Sequence, residues 1–263
     1  MRFLFKGLIF LWIAMVMAPV EALPVATKAL PTLTVWSAGG MLPALQVLAP
    51  GFEQASGVKV VVEAAPSTGR SAEAVGNRLA RREPADIVLM IDYALAQLQA
   101  KGQIEPSSRV DLGKSFIAMA VRQGAAKPPI DSVEAFKAAL LAADSIAYTD
   151  SASGLYLSRV LFPRLGLAAA LQRKTQMLPA NALAEAVANG TVQVGFAQLS
   201  ELKAVPGIDV VGLIPDPLQQ MTLYATAVLK DCAHRDAALA FVDYLASPEG
   251  RKAIVASGLQ PVR

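Results

Sequence analysis

The stretch VKVVVEAAPSTGRSAEAVGNRLARREPADIVLMID, residues 58–92, carries the reading of everything around it. It opens on β-branched, strand-like residues and ends on "DIVLMID", a short apolar run of the kind a parallel strand buried on both faces requires. Between the two, Pro66, Ser67, Thr68 and Gly69 are residues that favour a turn, and a polar helical stretch follows. Strand, turn, helix and buried strand in this order predict a βαβ unit. The turn itself has two readings. It is a simple reversal, or its hydroxyls and the free N–H groups of the helix start form a cup for something negative.

The same alternation extends in both directions. "LTVWSA" (33–38) reads as a buried strand, and "MLPALQVLAPGFEQASG" (41–57) has helical apolar spacing closed by Gly57. "YALAQLQAKG" (93–102) reads as a further helix. A second set begins near residue 119, and strands are expected at "SFIAMAVRQGA", "SIAYTD", "QRKTQMLP", "VQVGFAQ", "IDVVGLI" and "TLYATAVL". Helices are expected between them, the one after "SASG" interrupted at Pro163, and a terminal helix is expected to break at Pro248. The pattern predicts an α/β protein with mainly parallel sheets.

The first residues read as a targeting segment. Arg2 and Lys6 precede an apolar core, "LIFLWIAMVMA" (8–18), that is short for a bilayer span, and small residues at Val20 and Ala22 suit cleavage after Ala22. Export to the periplasm is therefore expected. The leader carries two of the 24 basic and one of the 21 acidic residues, so its removal lowers the formal charge from +3 to +2. That balance excludes the dense positive field of a nucleic-acid binder. One cysteine, Cys232, excludes an internal disulfide, and one cysteine with one histidine, His234, excludes a zinc site of the usual Cys/His type.

Several segments together resemble the molybdate-binding branch of the periplasmic solute-binding proteins: "LTVWSAGGMLPALQVLAPGFEQASG", "PSTG…RREPADIVLMID", "QLQAKGQIE", "VQVGFAQLSEL" and "DYLASPEGRKAIVASG". The resemblance runs from about Leu33 to the C-terminus. It implies a monomeric, cofactor-free receptor that closes two lobes on a small anion and hands it to an inner-membrane ABC permease. It also implies two strand-like hinges, near Phe116–Arg122 and Leu223–Val228. Lobe 1 would then hold residues 33–117 and 227–263, and lobe 2 residues 118–226.

Carried over position by position, the resemblance places the ligand at Gly39 and Gly40 after the first strand and at Ser67, Thr68, Gly69 and Arg70 in the turn. It adds Ser153, Ala180, Asn181 and Gln198 from the second lobe. Two side-chain donors of the family are altered, since a serine falls on Gly40 and a tyrosine on Gln198. Gly40 would make room for a larger ligand. Arg70 offers a planar fork suited to carboxylates, or is an ordinary solvated arginine. The leading expectation is thus a receptor for a molybdate- or tungstate-type oxyanion, without chemistry. The alternative is a receptor of the same fold for an organic carboxylate. A serine hydrolase using Ser67 or Ser153 is disfavoured, because neither lies in a G-x-S-x-G elbow and the one histidine is far along the chain. Tyr156 and Tyr224 either border the cleft or pack in the core. Ser67→Ala with Thr68→Ala is expected to weaken ligand binding and leave the melting temperature unmoved.

Overall fold

The computed structural model describes residues 31–262 with the exception of Ala204, so the expected leader, 1–22, lies outside the described residues. Eleven strands are found among them: β1 (Thr32–Ser37), β2 (Lys59–Ala64), β3 (Ile87–Ile91), β4 (Val110–Ser115), β5 (Ile117–Arg122), β6 (Ile146–Thr149), β7 (Thr175–Leu178), β8 (Val194–Gln198), β9 (Ile208–Leu213), β10 (Thr222–Val228) and β11 (Gln260–Pro261). They form two sheets flanked by helices, ordered β11-β4-β10-β3-β1-β2 and β7-β6-β8-β5-β9. Each sheet has a parallel trio at one edge, β2-β1-β3 in one and β7-β6-β8 in the other. The remaining pairings are antiparallel, so the sheets are mixed rather than mainly parallel.

The expected βαβ unit is present, with a shorter helix than the polar stretch suggests. Residues 65–74 form an extended turn, and the helix occupies only Val75–Ala80. The strand expected at "SFIAMAVRQGA" is found as β5 in the second sheet, and Phe116 separates it from β4, an unexpected strand of the first sheet. Pro163 does not interrupt its helix. The run Ala152–Arg164 stays helical and takes a π turn over Leu157–Leu161 just before the proline, a register change that accommodates the missing N–H. Pro248 does start a new helix, Pro248–Ala256, capped by the Ser247 hydroxyl accepting from Gly250 N–H at 3.1 Å.

The chain passes between sheets twice, at Phe116 and again over residues 214–221. Because all of β10 lies in the first sheet, the second passage precedes the expected Leu223–Val228. Gln219 ties the two passages together: its Oε1 accepts from Ile117 N–H (2.8 Å) and its Nε2 donates to Ile117 C=O (3.0 Å). The terminal helices return to the first sheet, where Phe241 meets Phe52 edge-on at 5.0 Å in a core with Leu33, Trp36, Leu45 and Leu89. The second sheet has its own core, centred on Phe136 and Phe196.

The carboxyl ends of both parallel trios point into the space between the sheets, the place where open α/β sheets bind ligands. Replacing Gln219 with Leu leaves the Ile117 N–H and C=O without their side-chain partner. Urea denaturation is expected to show a loss of about 1–3 kcal/mol. An unchanged midpoint would show that the passages are held by other contacts.

Candidate functional site

A cavity of about 550 Å³ lies between the sheets. The ends of β1, β2 and β3 supply Ala38, Gly39, Ala64 to Thr68 and Ile91; the ends of β6, β7 and β8 supply Thr149 to Ser153, Pro179 to Asn181, and Gln198. Glu201, Thr222 and Tyr224 also line it. Of the residues expected from sequence, Gly39, Ser67, Thr68, Ser153, Ala180, Asn181 and Gln198 are brought together here. Gly40, Gly69 and Arg70 are not among the lining residues. Gly69 and Arg70 are exposed on the outer part of the turn. Gly40 is buried beneath Tyr224.

The glycine pair has a steric cause. A Cβ at Gly39 would collide with Glu201 Oε1, and one at Gly40 would collide with the Tyr224 hydroxyl. The room expected at Gly40 for a larger ligand is therefore filled by the protein's own phenol. Of the two tyrosines left open by sequence, Tyr224 borders the cavity, while Tyr156 donates to Leu218 C=O at 2.8 Å outside it.

Hydroxyls dominate both walls. Ser67 Oγ accepts from Ile91 N–H at 3.0 Å, which leaves its own proton free to donate. Opposite, Thr149, Ser151 and Ser153 form a triangle of hydroxyls 2.7–3.1 Å apart. Gln198 is buried on the floor, its Nε2 donating to Thr222 Oγ1 at 3.0 Å and its Oε1 without a protein partner. The starts of the helices Leu42–Ser56, through the turn Gly39–Met41, and Ala180–Ala188 face the same space, with N–H groups that no helical carbonyl can satisfy. The lining includes Glu73, Asp150 and Glu201 and, among the described residues, no lysine or arginine.

Glu201 is the group that sequence reasoning missed. Three residues after Gln198, it reads as a helix cap, and its Oε2 does accept from Gln198 N–H at 3.2 Å. Nothing in the sequence marks its place in the cleft, where it is half-buried. Loss of water around the carboxyl, partly offset by that one N–H, raises it to about 7. Tyr224 is pushed well above the usual phenol range by burial first and by the Glu201 charge second, so it holds its proton. Cys232 lies away from the cavity. Its thiol donates to Asp86 Oδ1 (3.1 Å), and burial, reinforced by that carboxylate, pushes it up to about 12. Asp86 also accepts from Thr34 N–H at 2.8 Å, which assigns it to ordering the strands.

A family model for bacterial extracellular solute-binding proteins matches residues 33–260. The chain belongs to that family. Among solved structures, the periplasmic molybdate-binding protein of Azotobacter vinelandii superposes with a TM-score of 0.71 at 20% identity, covering 88% of this chain and all of that one. The sulfate-binding protein SubI of Mycobacterium tuberculosis gives 0.67 at 18% identity over 88% and 87% of the two chains. PEB3 bound to L-phospholactate gives 0.65 at 17% over 87% and 99%. At these identities the likeness establishes the fold, two lobes about a cleft. A much nearer relative is the aconitate isomerase of a Pseudomonas species, 55% identical over 237 residues, 90% of each chain. It corrects the expectation of a receptor without chemistry, since so near a relative is named as an enzyme. The donor set agrees with the correction, because a carboxyl raised to about 7 in a cleft is suited to proton transfer.

Two outcomes test this geometry. Ser67→Ala removes the acceptor of Ile91 N–H, so the earlier expectation of an unmoved melting temperature changes: a loss of about 1–2 kcal/mol is expected, and equal stability would show that water replaces the hydroxyl. Glu201 binds its proton more tightly in the folded chain than at its ordinary 4.5. Folding is therefore favoured below 4.5 and loses that contribution as pH rises to about 7. Glu201→Gln is expected to raise the melting temperature at pH 8 relative to wild type and to have little effect at pH 4.

Proposed function

We propose that this chain is an exported isomerase that binds an unsaturated tricarboxylate of the aconitate type in the interlobe cleft and interconverts its geometric isomers. The observation that carries this reading is the 55% identity, over nine-tenths of both chains, to the aconitate isomerase. It takes up the organic-carboxylate alternative in place of the molybdate-type ligand. A cavity of about 550 Å³ suits a branched acid with three carboxylates.

The chemistry narrows the residues. A carbon–carbon double bond rotates only after its π bond is interrupted. One route adds a nucleophile such as a thiolate. Cys232, outside the cavity and with its thiol near 12, does not supply one. The other removes a proton from the methylene between the double bond and a carboxylate, giving an allylic anion whose charge spreads into the carboxylates. Return of a proton to the far end of that system moves the double bond and permits the other geometry. Glu201 is the base in this reading. Its carboxyl near 7 is both competent to accept a proton and able to return it.

The substrate's charge is met by dipoles. Hydroxyls of Ser67, Thr68, Thr149, Ser151 and Ser153 and the N–H groups at the starts of two long helices face the cleft. Hydroxyls and N–H groups donate to a carboxylate without a countercharge. Closure of the lobes about the passages joined by Gln219 would exclude water from the anion.

The test is direct. The mature chain, residues 23–263, is incubated with either aconitate isomer and followed by the vinyl resonance in ¹H NMR. Both starting materials are expected to converge on one mixture. Glu201→Gln is expected to lower kcat by about 10²–10⁴. Because the base must be ionised, kcat should rise with pH along a limb whose midpoint is at or above about 7, since the bound anion adds to the burial already acting on Glu201. Substrate affinity should fall over the same range, as a fourth negative charge appears beside the substrate. No interconversion by the wild-type chain would overturn the reading.

A further inference from the structure

We propose that Tyr224 is a second catalytic residue, donating its phenolic hydrogen bond to the substrate carboxylate that takes up charge when Glu201 removes the proton, with Gly40 as the platform that sets its position. The proposal rests on the isomerase reading above and adds a residue that the acid–base argument does not require.

Three observations support it. Tyr224 stands on β10 with its ring almost wholly buried, at 4% exposure, yet it lines the cleft. Its hydroxyl makes no hydrogen bond to another described residue, whereas that of Tyr156 does. A buried ring with a free hydroxyl at a ligand cavity leaves that donor to the ligand. Second, the hydroxyl lies so close over Gly40 that no Cβ fits beneath it, just as Glu201 Oε1 lies over Gly39. Consecutive glycines thus seat the phenol and the carboxyl side by side, one from each sheet's side of the cleft. Third, Tyr224 holds its proton throughout the range in which Glu201 titrates, because burial and the Glu201 charge both act against the phenolate.

The proton balance is complete without any further reactant. Glu201 takes the methylene proton, and the C–H electron pair enters the conjugated system and places charge on a carboxylate oxygen. The Tyr224 O–H donates to that oxygen without transferring its proton. Glu201–H then returns the proton to the far carbon, and the charge leaves the oxygen. A donor placed where charge develops acts mainly on the transition state.

Tyr224→Phe, which keeps the ring, and Gly40→Ala, which keeps the hydroxyl and displaces it, are compared with wild type for kcat, for the pH profile, and for affinity toward the saturated propane-1,2,3-tricarboxylate. Both variants are expected to lower kcat by about 10²–10³. Affinity for the saturated acid should change by less than about threefold, and the acid limb assigned to Glu201 should remain in the Phe variant. A Phe variant with kcat within threefold of wild type overturns the proposal and leaves the isomerase reading intact. Equal losses in kcat and in affinity for the saturated acid also overturn it, since Tyr224 would then be a general binding contact. If Gly40→Ala does not fold, the Phe variant alone decides. Wild-type protein that does not interconvert the isomers ends both proposals, an outcome distinct from the others.

Discussion

The site depends on the absence of two methyl-sized groups. At residues 39 and 40 the chain leaves β1 and starts a helix, and a side chain at either position would occupy the space used by Glu201 or Tyr224. Backbone packing is the constraint. Ser37 and Trp36 fix the end of β1 in the core, and Met41 is fully buried on the other side, so the turn cannot retreat. Glu201 and Tyr224 reach the turn from separate elements, the short helix Leu199–Leu202 after β8 and the strand β10. Glu201 and Tyr224 therefore meet over one turn at the cleft.

Burial of Glu201 has a cost that the fold meets elsewhere. An ionisable group with one N–H for a partner is expensive to charge, and the hydrophobic cores of the two sheets offset it. The same burial gives the carboxyl its value near 7. A well-solvated glutamate at this position would be a far weaker base, and one paired with a lysine or arginine would be weaker still. The lack of any cation in the described lining is thus consistent on both counts. In the isomerase reading it leaves the base strong, and it leaves the substrate to be held by N–H and O–H dipoles.

Much of the fold was legible because the inner strands of the two parallel trios are written as short apolar runs, and "LTVWS", "IVLMI" and "VGFAQ" all fall where such runs require. Val110–Ser115 was not legible. It pairs along β10 with a register shift at Tyr224/Ala225, and its residues alternate with charge and glycine rather than forming an apolar run. The hydroxyl walls of the cleft were partly legible, since Ser67, Thr68 and Ser153 stand in turns at strand ends. The direction of Arg70 was left open, since a position in a turn does not fix which way a side chain points, and the structure has it exposed. Glu201 could not be found by pattern. Its spacing from Gln198 is that of a surface helix cap, and only the meeting of the two sheets places it, half-buried, on the cleft.

A two-lobed receptor and an isomerase ask different things of one cleft. A receptor needs its donors to match the ground state of the ligand, and any titrating group among them makes affinity depend on pH for no gain. An isomerase needs one group that changes protonation during the reaction and one donor that responds to the charge this creates. Glu201 beside Tyr224 fits the second requirement and is a liability under the first, because a carboxylate at the floor repels every anion that enters. A cleft built only to hold an oxyanion has no use for that repulsion. The half-buried carboxyl beside Tyr224 is therefore the feature of this structure that the isomerase reading accounts for and a binding role does not call for.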